Sequence, residues 1–238
     1  MDTTTRKAPA AAPVPVRKKR SSVALKILMA VTGILLILFL YAHMIGNLKI
    51  FFGQSPFDHY AHWLRTIGNP LLPYGWYLWI QRGGLTLIVI GHIVAATILA
   101  RRAGKARPVK YAHRPKVQGS YAARTMRWGG VIILLFVVYH LLDLSALTIN
   151  PHGVEGQVYE NVATDFAPGR WYVTLFYTLA IVAVGFHLRH GIFSAVRTLG
   201  QQTARGERLA RSSALVLSLV LVVGYLSVPF AVLTGLVG

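Results

Sequence analysis

Five stretches of roughly 20 apolar residues recur along this 238-residue chain, each about the length that crosses a bilayer. They lie at about 24–50, 78–100, 128–149, 171–196 and 212–236. In hydrocarbon a segment must satisfy its own backbone hydrogen bonds. Each stretch is therefore predicted to be a helix, and the fold an all-α integral membrane protein of five transmembrane helices. The composition agrees, with 54% of residues hydrophobic and only 13% charged. Cysteine is absent, which excludes disulfides, thiolate iron–sulfur ligation and thiol catalysis. Metal chemistry would have to rest on His, carboxylate or Met.

A net charge of +18 could suggest nucleic acid, but the distribution of the charge argues for a membrane instead. Seven Lys and Arg precede or open the first span, nine lie from Arg101 to Arg127, and four from Arg197 to Arg211. The opposite side carries only Lys49, Arg65, Arg82 and Arg170, while Arg189 falls toward the basic end of span four. The positive-inside rule then places the N-terminus and both basic loops in the cytoplasm and the C-terminus outside. Residues 1–23, rich in Ala, Pro and basic residues, are expected to be a disordered cytoplasmic arm preceding the transmembrane domain of residues 24–238. The loop after span one is crowded with Trp and Tyr. It is read as an interfacial belt with a short helix lying flat around Phe57–Thr66. Span five has no buried ionisable residue, and Pro229 is expected to kink it.

Four of the five spans carry a histidine: His43, His92, His140 and His187. Imidazole is costly in hydrocarbon without a partner. Depth follows from the helical rise of about 1.5 Å per residue. His92 lies nine residues from Arg101 and His187 ten from Arg197, so both sit roughly 14–15 Å deep. His140 lies thirteen from Arg127 and His43 seventeen from Lys26, roughly 20 and 25 Å deep. The expected pairs are His92 with His187, and His43 with His140. Two pairs of inward imidazoles suit two b-type haems, each iron bound by two histidines and left with no open position, as electron transfer requires. Gly46, Gly91, Gly185 and Gly191 lie near the ligands in sequence, where a flat macrocycle needs room. The same histidines could instead hydrogen-bond across helices or line a proton path. His190, one turn from His187, could replace it as ligand or bond a propionate.

The order Ala42-His43-Met44, Gly91-His92, Tyr139-His140-Leu141 and Phe186-His187 followed by Gly191 resembles the cytochrome b subunit of succinate:quinone oxidoreductases, in its single-chain, five-helix, two-haem form. The resemblance covers nearly the whole chain from about Ser22. It implies an inner haem held by spans two and four and an outer haem held by spans one and three. It also implies a bacterial cytoplasmic (inner) membrane, and two partners, the succinate dehydrogenase flavoprotein and an iron–sulfur subunit. The basic loops would be their docking platform. Electrons would pass from the iron–sulfur subunit through both haems to a quinone, with menaquinone expected. The spacing before Gly191 matches His187 as ligand.

Propionates should meet cations near water, with Arg124 and Arg189 preferred over Arg127 and Arg197. A quinone site needs hydrogen-bond partners and a proton source. Its candidates are Ser55, Asp58, His59, His62 and Trp63 near the outer level, and Asp143 one turn beyond His140. Asp143 shares the face of His140, although this near the end of its span it could instead simply reach outer water. Fumarate reductase working in the opposite direction, a self-standing transmembrane cytochrome, and a transporter or scaffold remain as rival readings.

Overall fold

The computed structural model describes residues 21–106, 119–200 and 203–238. The expected N-terminal arm falls outside these residues up to residue 20, as does the middle of the first basic loop. Five helices are long and apolar enough to cross a membrane. Among the described residues there is no strand.

Helix α1 (Ser22–Asn47) starts where the Ser21 side chain accepts the Val23 amide, and it runs into a 3-10 turn, Leu48–Phe52. Gly53, at φ +95°, reverses the chain into the short helix α2 (Gln54–Thr66). The helix expected at the aromatic loop is therefore present, and Trp63, Tyr74, Trp76 and Trp79 around it are exposed. Helix α3 spans Trp76–Lys105 and carries Arg101 and Arg102 within its last two turns rather than ending at them. Helix α4 (Gly119–His140) gives way to a π-helical turn, Leu141–Ser145, closed by the Ala146 amide donating to the Leu141 carbonyl at 2.7 Å. Span three thus stops at Ser145, short of the expected 149. Helix α5 (Val158–Asp165) was not expected; its start is held by Asp58, whose carboxylate accepts the Tyr159 amide at 2.9 Å.

Helix α6 (Trp171–Thr198) occupies the middle of the assembly and packs against α1, α4 and α7. Helix α7 (Ala204–Leu233) begins eight residues earlier than the apolar run suggests. The cause is local. Thr203 caps the helix by accepting the Gly206 amide, and Glu207 pairs with Arg211 one turn on at 2.7 Å. The second basic loop is consequently shorter, and Arg205, Arg208 and Arg211 ride on helix. The helix continues through Pro229, which is buried against its neighbours. Two tyrosines tie α7 to α1: Tyr41 donates to the Leu217 carbonyl, and Tyr225 to that of Leu40.

The main apolar core lies toward the end that carries α2 and α5. It joins Ile50, Phe57, Phe166, Val173, Tyr177, Ile181, Val228 and Val232. Helices α3 and α4 bury little of their surface within the protein and leave Leu87, Leu135 and Val138 exposed, as expected of side chains facing lipid.

Candidate functional site

The four histidine-bearing helices make a chain of packed neighbours, α3 on α1, α1 on α6, and α6 on α4. Neither α1 with α4 nor α3 with α6 is among the closely packed pairs. Yet the imidazoles of His43 on α1 and His140 on α4 have centroids 5.9 Å apart, and those of His92 on α3 and His187 on α6 are 6.4 Å apart. For both to hold, the row of helices must curl so that each histidine pair spans a diagonal of the bundle. Packed neighbours sit 8–10 Å apart, so a diagonal is roughly 12–14 Å, which two inward imidazoles reach across.

The pairing matches the one predicted from depth. The looser match, His43 with His140, is as close in space as the other. The apparent difference in level came from counting from Arg127, whereas α4 extends back to Gly119. The ring facing His92 is that of His187; His190 is half-buried one turn away.

The hydrogen bonds around the rings select one tautomer. A hydroxyl has a single proton. That of Thr32 goes to the Leu28 carbonyl at 2.7 Å, so toward His92 its oxygen can only accept, and His92 Nδ1 donates to it at 3.1 Å. The Tyr177 proton goes to Asp143 at 2.9 Å, so its oxygen accepts from His140 Nδ1 at 3.4 Å. In both cases Nδ1 holds the hydrogen and Nε2 keeps its lone pair. That is the arrangement by which outer-shell partners orient metal-binding imidazoles. His187 Nδ1 is buried and has no partner among the described residues.

These residues fit a metal that brings most of its own ligands. Metal–nitrogen bonds are about 2 Å, and each nitrogen lies about 1 Å from its ring centre. Two imidazoles on opposite sides of one metal would thus have centroids about 6 Å apart. Among the described residues, no group of three or more metal-binding side chains converges. Two imidazoles per site therefore suit a macrocycle such as haem, which supplies the equatorial nitrogens itself.

The glycines near the rings are not the ones singled out from sequence. A methyl group at Gly33 would lie 3.4 Å from the His92 ring, and one at Gly130 would lie 3.9 Å from that of His187. Gly46 instead makes room for Tyr60, Gly91 faces Thr32, Gly185 lets α7 approach through Val222, and Gly191 faces open space. Sequence proximity misled because a helix turns about 100° per residue. The glycine next to a ligand in sequence points elsewhere, and the useful one comes from another helix.

The remaining predicted residues are spread. Ser55, His59, His62 and Trp63 are exposed on α2, with Trp63 stacked on Tyr60 and His62 against Tyr74. Asp58 serves as the tether of α5. Arg189 is exposed on α6, and the Arg124 side chain lies outside the described residues. Arg197 and Arg211 both lie over the Phe193 ring, at 5.7 and 4.9 Å.

Of the two alternatives for Asp143, the inward one holds: it does not reach water but is wholly buried, bonded to Tyr177 of α6 and beside Asp165 of α5, itself wholly buried. Asp165 pairs with Arg170 at 2.8 Å. Burial first, and then the charge of Asp143, push the Asp165 carboxyl up to about 7 against the opposing pull of Arg170. Two acidic residues in an outer loop and a span end carried no sign of meeting. No protein-family model, curated protein or solved structure matches the chain.

Proposed function

We propose that this chain is the membrane-anchor cytochrome b subunit of a succinate dehydrogenase, passing electrons from an iron–sulfur subunit through two haems b to a quinone. The observation that carries the reading is the presence of two imidazole pairs on crossed diagonals, each with a centroid spacing suited to one shared iron. His92 and His187 would hold the inner haem, and His43 and His140 the outer one. A bis-imidazole iron supplies one-electron transfer without an open position for oxygen.

The chain's own residues prepare both sites. Thr32 and Tyr177 fix the tautomers of His92 and His140, so Nε2 of each ring keeps its lone pair free for a metal. Phe39 and Phe136 stack one turn before His43 and His140 and hold those rings in place. Arg189, Arg124 and His190 are the candidates for propionate contacts. At the other end, Asp143 and the α2 residues Ser55, Asp58, His59, His62 and Trp63 are the candidates for a quinone site, with menaquinone the expected substrate.

Positive-inside charge supports an N-terminus in the bacterial cytoplasm and a multi-pass location in the inner membrane. The ends of α3, α6 and α7 gather Arg101, Arg102, Lys105, Arg197, Arg205, Arg208 and Arg211, a surface suited to the flavoprotein and iron–sulfur partners.

The test is a reduced-minus-oxidised absorption spectrum with haem quantified per chain. Two haems and two separable components are expected, with two soluble subunits copurifying. Absence of haem bands overturns the reading. Haem without the soluble subunits would make the chain a self-standing transmembrane cytochrome.

A further inference from the structure

The buried carboxylates Asp143 and Asp165 pose two problems that a single proton solves. The first is charge. Two ionised carboxylates against the one guanidinium of Arg170 leave a net negative charge away from water, which is expensive in a low dielectric. The second is hydrogen bonding. Asp143 Oδ2 accepts the Tyr177 hydroxyl, but among the described residues its Oδ1 has no donor, and neither oxygen of Asp165 receives a well-directed hydrogen bond. Asp143 comes from the turn after α4 and Asp165 from the end of α5, and the charge of Asp143 bears on Asp165. One proton between them makes the trio with Arg170 neutral and gives an orphan oxygen its donor. A second proton would strip Arg170 of its counter-charge. The other titratable groups facing the pair are Tyr139 from α4 and Tyr177 from α6, both neutral hydroxyls, with Tyr172 farther along α6 beside Tyr139.

We propose that Asp143 and Asp165 hold one proton between them, and that Tyr177 ties the charge of this pair to Nδ1 of His140. The tie follows from the donor order. His140 Nδ1 donates to Tyr177, and Tyr177 donates to Asp143. More negative charge on the pair makes the tyrosine oxygen a stronger acceptor and the imidazole more basic. An iron held by that imidazole would then be easier to oxidise. The shared proton rests on the burial of both carboxylates and their one guanidinium; the effect on iron rests on the cytochrome reading.

Infrared spectroscopy of the purified protein at neutral pH tests the proton. A C=O stretch of a protonated, buried carboxyl, sensitive to deuteration, is expected in the natural protein. It should vanish in Asp143→Asn and in Asp165→Asn alike, because either asparagine leaves one carboxylate matched to Arg170. It should persist in Tyr177→Phe. No such band in the natural protein, or survival of the band in either asparagine variant, overturns the shared proton.

Redox titration across pH tests the tie. The component lost in His140→Ala should shift its reduction equilibrium by up to tenfold per pH unit, about 59 mV for one electron. Asp165→Asn should flatten that slope; an unchanged slope overturns the tie. Absent haem with the carboxyl band intact would reject the cytochrome reading and leave the shared proton standing. Haem present without the band would do the reverse.

Discussion

His43 and His140 meet inside a shell of rings, with Phe39 and Phe136 stacked on them and Tyr177 and Tyr225 at their edges. His92 and His187 meet in a barer place, beside Gly33 and Gly130 and a single hydroxyl, that of Thr32. The first pair adjoins the main apolar core through Tyr177, and its network continues to Asp143 and Asp165. Among the described residues the second has no such continuation, and His187 Nδ1 has no partner. The contrast implies different sensitivities. Around His43 and His140 the hydrogen-bond network should matter most; around His92 and His187, free space should.

Removing a ring breaks the comparison outright. His43→Ala and His140→Ala should each abolish one haem component of the difference spectrum, and His92→Ala and His187→Ala the other. His190→Ala should leave both. If His190→Ala removes the component that His92→Ala removes, His187 is not the ligand. Filling space comes next. Gly33→Leu and Gly130→Leu should empty the His92–His187 site while the other component stays, since a branched side chain has only 3–4 Å of clearance there. Equal loss of both components would show that the glycines maintain the bundle rather than that site.

Hydrogen-bond variants should act in the opposite sense. Tyr177→Phe strips His140 of its acceptor and Asp143 of its donor, leaving buried groups unsatisfied at about 1–3 kcal/mol each. Haem retention at the His43–His140 site should weaken by about 10–100-fold, the usual scale for losing an outer-shell partner. Thr32→Val should weaken only the other site, with Thr32→Ser restoring it. Haem titration of each variant, read component by component, checks the order.

Much of this arrangement is legible in the sequence. Apolar length fixed the five helices because a bilayer permits little else, and histidines at matched depth pair because they must face inward. What escaped the sequence depended on coverage from distant segments. Asp143 seemed near enough to the end of its span to meet water, but a π-helical turn and the unforeseen α5 close over it. The glycines were misassigned because nearness in sequence does not say which face meets another helix. The start of α7 was hidden because its first turns are basic, and only the Thr203 cap and the Glu207–Arg211 pair reveal them as helix.

The most local effect expected is a drift of stability with pH that arises at the end carrying the carboxylates. Asp165 has a folded-state carboxyl raised to about 7 from the ordinary carboxylate range. A raised carboxyl favours the folded state while protonated. Its contribution is therefore full below the unfolded value and declines as pH rises toward about 7, because the folded protein then holds a proton that the unfolded chain has already released. Melting of the detergent-solubilised natural protein, taken relative to Asp165→Asn, should therefore fall across that window and level off above it, with no feature of the His92–His187 component changed. A difference between the two proteins that does not vary with pH would mean that Asp165 does not titrate there, and the asymmetry between the two ends would lose its electrostatic basis.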